Sequence, residues 1–156
     1  MVMTRKQLLR SIDAARVKNA IEQAENQTSG EIVVSVAPFF WGSVDKAARR
    51  SFVRLGIDRT RARNGVLFFI VPSRRRFVVL GDQGIHEKVG KGFWTSVAAH
   101  LSEHFHAGEF TEGLVRGIAE VGRQLMAHFP FDRTADANEL PDDVDFGESE
   151  SDSDTR

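Results

Sequence analysis

The run Val66-Leu67-Phe68-Phe69-Ile70-Val71 restricts the fold more than any other feature of the chain. Six residues are far short of the roughly 20 that a membrane-spanning helix needs. A strand with one wet face alternates apolar and polar residues. This run does not alternate, so it reads as a strand covered on both faces. Pro72-Ser73-Arg74-Arg75 then forms a turn, and Arg76–Asp82 returns as a second strand, antiparallel because the connection is so short. Upstream, Glu31–Ala37 is rich in Val and Ile and reads as a further strand.

A sheet covered on both faces needs helices on both sides. Apolar residues recur at helical spacing over residues 4–27, with Thr4 as the cap, and over Trp41–Leu55, stopped at Gly56. The same spacing marks Phe93–Phe105 and about Glu109–His128. Gly84–Gly90 reads as a short helical or irregular loop, with an extra edge strand within residues 82–92 as the open alternative. The expected fold is α/β, a three-layer α/β/α sandwich with a small mixed central β-sheet.

At 156 residues one domain is expected. Charge divides it. Residues 132–156 hold ten acids and two arginines, a net charge of −8, while the rest of the chain carries +7. The acidic stretch is poor in apolar side chains, so burial cannot offset its ordering entropy. It reads as a disordered acidic tail behind a domain spanning residues 1–131. The absence of cysteine excludes disulfides, thiolate zinc sites and a thiol nucleophile. The N-terminus is amphipathic rather than an apolar block, so the expectation is a soluble cytoplasmic protein without signal segment or membrane span.

The topology places a site. Glu31's strand and Val66's strand are joined by a helix and should lie parallel, with a right-handed crossover. Their N-terminal ends then share one edge, and the returning third strand delivers Gly81-Asp82 to it. Glu31, Asn64 and Asp82 should therefore converge, with His86 and Glu87 in the adjoining loop. These are hard oxygen donors suited to calcium or magnesium. Arg59, Arg61 and Arg63, alternating along an extended segment, can face an anion.

Other patterns carry less. Gly84–Gly92 fails as a phosphate loop, because five residues separate Gly84 from Gly90 and Gly92 replaces the magnesium-holding Ser/Thr. His100 and His104 lack the metalloprotease glutamate after His100. No nucleic acid is expected as a partner, since no basic segment is interleaved with exposed aromatics. No serine occupies a nucleophile elbow.

Thr28-Ser29-Gly30-Glu31-Ile32, Arg63-Asn64-Gly65-Val66-Leu67, Phe77–Ile85 with Gly81-Asp82-Gln83-Gly84 inside it, and Phe105-His106-Ala107-Gly108-Glu109-Phe110 followed by Gly113-Leu114 occur in this order. That combination, over about residues 18–129, resembles the TPM domain family, typified by a thylakoid-lumen acid phosphatase linked to photosystem repair. The resemblance implies an α/β/α sandwich, phosphomonoesterase activity at acidic pH and a divalent-ion site, often calcium, at the strand-end loops. It carries Asn64 and Asp82, and less directly Glu31, to that site. The missing nucleophile and the sparse carboxylates favour a noncatalytic binding or regulatory module for a protein partner, in membrane-protein maintenance, with weak calcium or magnesium binding. The alternative is a metal-assisted, acid phosphatase-like hydrolase of phosphomonoesters.

Overall fold

The computed structural model describes residues 11–131 and 140–147. The sheet forms first in the argument because its central strand is the most apolar segment. β1 (Glu31–Val36) pairs in parallel with β2 (Gly65–Val71), and β2 pairs antiparallel with β3 (Arg76–Gly81), giving the order β1-β2-β3. Every residue of β1 and β2 is buried. Side chains alternate between the two faces of a strand, and the core splits accordingly. Val34, Phe68 and Ile70 join one apolar cluster, whereas Val33, Leu67 and Phe69 join the other. Both expected phenylalanines, Phe68 and Phe69, are buried, which is the mixed, doubly covered sheet read from the sequence.

Among the described residues, four helices cover that sheet. On one face lie α1 (Ala14–Glu25), α3 (Gln83–His106) and α4 (Phe110–His128), and on the other lies α2 (Val44–Arg54). Asp13 begins α1, its side chain accepting from the Arg16 N–H at 3.2 Å, so the helix does not run unbroken from the expected start. Thr4, the expected cap, lies outside the described residues. Ser43 caps α2 by accepting from the Lys46 N–H, which leaves Trp41 in the preceding loop instead of in the helix. Of the forms left open for the stretch after β3, the structure shows the helical one. Asp82 caps a helix that runs to His106, broken where Gly90 adopts φ 75° and ψ 172°.

Residues 140–147 belong to the stretch read as an acidic tail, and they lie against the sheet. The Val36 N–H donates to Asp145 O at 2.7 Å and the Asp145 N–H donates to Val34 O at 2.9 Å, an extended bridge parallel to β1. Val144 and Phe146 pack against one apolar cluster and Leu140 against the other. These three partly buried apolar side chains offset part of the ordering cost. The tail residues 132–139 and 148–156 lie outside the described residues.

Candidate functional site

Glu31 pairs with Gly65 across β1 and β2, and Val66 pairs with Gly81 across β2 and β3. This register brings Glu31, Asn64 and Asp82 to one edge of the sheet. All three are buried, at 3%, 1% and 6% exposure. Buried polar groups must find partners, and these three find different ones.

Asp82 is committed to the corner where β3 becomes α3. Its carboxylate accepts from Arg63 Nε at 2.7 Å, from Arg63 Nη2 at 2.9 Å and from the Gln83 N–H at 2.7 Å. The fork of the guanidinium matches the two carboxylate oxygens, and Asp82 holds Arg63 above its ordinary pKa. Arg63 itself sits at φ 52°. Its carbonyl oxygen accepts from the Gly84 N–H at 2.8 Å and the Ile85 N–H at 3.3 Å, while the His86 N–H donates to Asp82 O. The first four N–H groups of a helix are an anion site when they are free. Here all four are engaged. Gly84 makes the approach possible, since a Cβ there would lie 2.2 Å from the Ala62 carbonyl oxygen.

Asn64 Nδ2 donates to Ser29 Oγ at 3.3 Å, and Thr60 Oγ1 donates to Asn64 Oδ1 at 3.5 Å. His86 Nδ1 accepts from Trp94 Nε1 at 3.0 Å, and Glu87 accepts from Gln83 Nε2 at 3.2 Å. The expected extended run of three arginines is absent. Arg59 ends a 3-10 turn (Ile57–Arg59), Arg61 is exposed beyond it, and Arg63 has turned back into the Asp82 pair.

Glu31 leaves this network for another. Glu31, Glu25 at the C-terminal end of α1 and Asp142 of the tail each present a carboxylate oxygen, and these lie within 4.8 Å of one another. The Ile32 N–H donates to Glu25 Oε2 at 2.7 Å. Burial, a hydrogen bond with Asp142 and the charges of Glu31 and Asp142 push the Glu25 carboxyl up to about 10, against the pull of the Ile32 N–H. Two oxygens bound to one calcium ion at about 2.4 Å can be no more than about 4.8 Å apart. The donor chemistry and the spacing therefore fit a hard divalent cation. Neither Glu25 nor Asp142 is legible in the sequence as a site residue. Glu25 looks like a helix flank, and Asp142 is one acid among ten whose pairing with residues more than a hundred positions away has no local signal.

No curated protein matches the chain. Among solved structures it is similar to the BA42 protein of the psychrophilic bacterium Bizionia argentinensis, at 34% identity and a TM-score of 0.79, covering 87% of this chain and 95% of that one. The N-terminal domain of a protein from P. gingivalis shares the fold at 17% identity and a TM-score of 0.62, over 85% and 99% of the two chains. That of the cg2496 protein of Corynebacterium glutamicum does so at 12% identity and a TM-score of 0.57, over 71% and 70%. Residues 2–124 match the family described as the TPM domain. Its sheet, its order of helices and this match over most of its length place the chain in the TPM domain family.

Proposed function

We propose that the domain is a noncatalytic module that binds an extended acidic segment of a protein partner at the edge of β1, in the slot that residues 144–146 of its own chain fill in cis. The observation that carries this reading is the way Asp145 is held. Its Oδ2 accepts from Ser35 Oγ at 2.8 Å and from Arg54 Nη2 at 2.8 Å, between two backbone hydrogen bonds to β1. Backbone pairing at a sheet edge gives affinity, and side-chain pockets at alternate positions give specificity. An apolar–acidic–apolar segment such as Val144-Asp145-Phe146 suits that edge.

The carboxylate cluster gives the slot a control. Glu25, Glu31 and Asp142 would hold a calcium or magnesium ion, which supplies positive charge where like charges otherwise face one another. With the ion bound, Asp142 is tied down and residues 140–147 stay on β1. Binding is weak, since a three-carboxylate set leaves much of the shell to water.

Support for a noncatalytic role comes from the strand-end corner. Asp82, Arg63, His86 and the first N–H groups of α3 are engaged with one another, which leaves no anion cradle there. The test uses the full chain and a labelled peptide of the sequence of residues 140–147. Asp145→Ala frees the slot, so the peptide should bind that variant about tenfold more tightly than the parent. Arg54→Glu added to it should abolish binding. Turnover of a chromogenic phosphomonoester at acidic pH, stimulated by calcium or magnesium and lost on Asp82→Asn, would overturn the reading in favour of the hydrolase.

A further inference from the structure

The end of the sheet opposite the carboxylates carries a second surface. The loop between β1 and α2 holds Phe39, Phe40 and Trp41 in succession. Trp41 is 89% exposed, the most exposed large apolar side chain among the described residues. Phe39 packs against it edge to face, with ring centroids 4.9 Å apart. The tip is braced from beneath. Arg74 Nη1 donates to Phe40 O at 3.1 Å and to Gly42 O at 2.9 Å, and its guanidinium carbon lies 5.4 Å from the centre of the Phe40 ring. Among the described residues, nothing covers the indole that this braced loop presents. Exposed aromatic surface of this kind marks an interaction site.

Charge identifies the occupant. Lys46, Arg49 and Arg50 are exposed on the first turns of α2, directly after the tip. Arg75, on the β2–β3 turn that Arg74 links to the tip, and Arg76, at the start of β3, are exposed. Asp45 is the acid in the first turn of α2. The side chains of Lys46, Arg49, Arg50 and Arg76 make no ion pair among the described residues. Trp and Phe gather at the headgroup level of a bilayer, and clustered Lys and Arg are drawn to its anionic lipids. We propose that the Phe39–Trp41 tip and the basic residues around it dock the domain onto the surface of an anionic lipid bilayer. The domain lies on that surface and does not cross it, because no helix among the described residues is long and apolar enough to span. An acidic protein segment would satisfy the arginines but would leave the indole without an apolar medium. This docking shares no residue with the slot on β1, so either can fail alone.

The test is flotation of the full chain with vesicles of phosphatidylcholine alone and of phosphatidylcholine mixed with phosphatidylglycerol, read together with tryptophan emission. Binding is expected to the mixed vesicles, weakening as salt is raised, with a blue shift that Trp41→Phe removes. Trp41→Ala should lower partitioning about tenfold, and Arg50→Gln about fivefold at low salt. Trp41 is exposed, so far-UV circular dichroism should show the fold of Trp41→Ala unchanged. Failure to bind mixed vesicles, or equal binding to both kinds, overturns the proposal. So does binding that Trp41→Ala leaves intact. Binding of a polyglutamate peptide in place of vesicles would reassign the surface to an acidic protein segment.

Discussion

Two acidic corners sit side by side at one edge of the sheet and behave in opposite ways. At the Asp82 corner each charge has a counter-charge, and the carboxylate is matched by the fork of Arg63. At the Glu31 corner three carboxylates, those of Glu25, Glu31 and Asp142, converge within 4.8 Å of one another. The first arrangement is finished. Its hydrogen bonds close the start of α3 and fix the turn after β3. At the second, burial first, then the hydrogen bond with Asp142 and the charges of Glu31 and Asp142, favour a proton on Glu25, and a divalent ion would supply the opposite charge in its place. Burial alone does not distinguish them, since Asp82 and Glu31 are equally hidden. The difference lies in what faces each one.

The sharpest way to break the comparison is at Gly84. A methyl group there meets backbone oxygen 2.2 Å away, and backbone cannot swing aside as a side chain can. Gly84→Ala should cost about 3 kcal/mol in chemical denaturation by forcing the corner open. A neutral result would mean that the contact between α3 and the Arg63 loop is not needed. Asp82→Ala removes the cap of α3 and should cost about 1–2 kcal/mol. It should leave calcium affinity nearly unchanged if the ion belongs to the other corner.

At the unmatched corner the sign reverses. Glu25 is raised from 4.5 to about 10, so between those values the folded chain holds a proton that the unfolded chain has released. The folded state then binds more protons, and stability must fall as pH rises through that window. Its contribution is full below about 4.5 and lost as pH approaches 10. Glu25→Gln mimics the protonated form. Under chelating conditions it should be as stable as the parent near pH 5 and more stable by about 1 kcal/mol near pH 9. The smallest effect is on calcium itself. Calorimetry should find weak binding to the parent, none to Glu25→Gln and little change on Asn64→Ala. A parent whose stability ignored both pH and calcium would leave the cluster without a role.

Two features of the fold were legible because they depend on local pattern. The unbroken apolar run at β2 required cover on both faces, and the short Pro72–Arg75 connection required an antiparallel return. Those two facts, with one helical crossover, sufficed to bring Glu31, Asn64 and Asp82 to a common edge. Helix ends were less legible. Trp41 fell within an apolar spacing, yet Ser43 supplies the cap that starts α2 beyond it. Gly84–Gly90 left a short helix, an irregular loop and an edge strand open, and Asp82 with Arg63 decides for the helix by satisfying its first N–H groups.

The sequence by itself determined the layered sheet, the strand directions and which edge gathers the polar strand ends, because periodicity and connection length act over neighbouring residues. Only the tertiary structure decided what those polar groups do. Whether a buried carboxylate meets a guanidinium, as Asp82 does, or two more carboxylates, as Glu31 does, is set by residues far away in sequence. Glu25 and Asp142 stand 117 positions apart, and their approach depends on a tail segment finding three apolar anchors along β1. Charge interactions fall off with distance in space, not along the chain, so composition gave the tail its net charge but not the place where one of its acids would lodge.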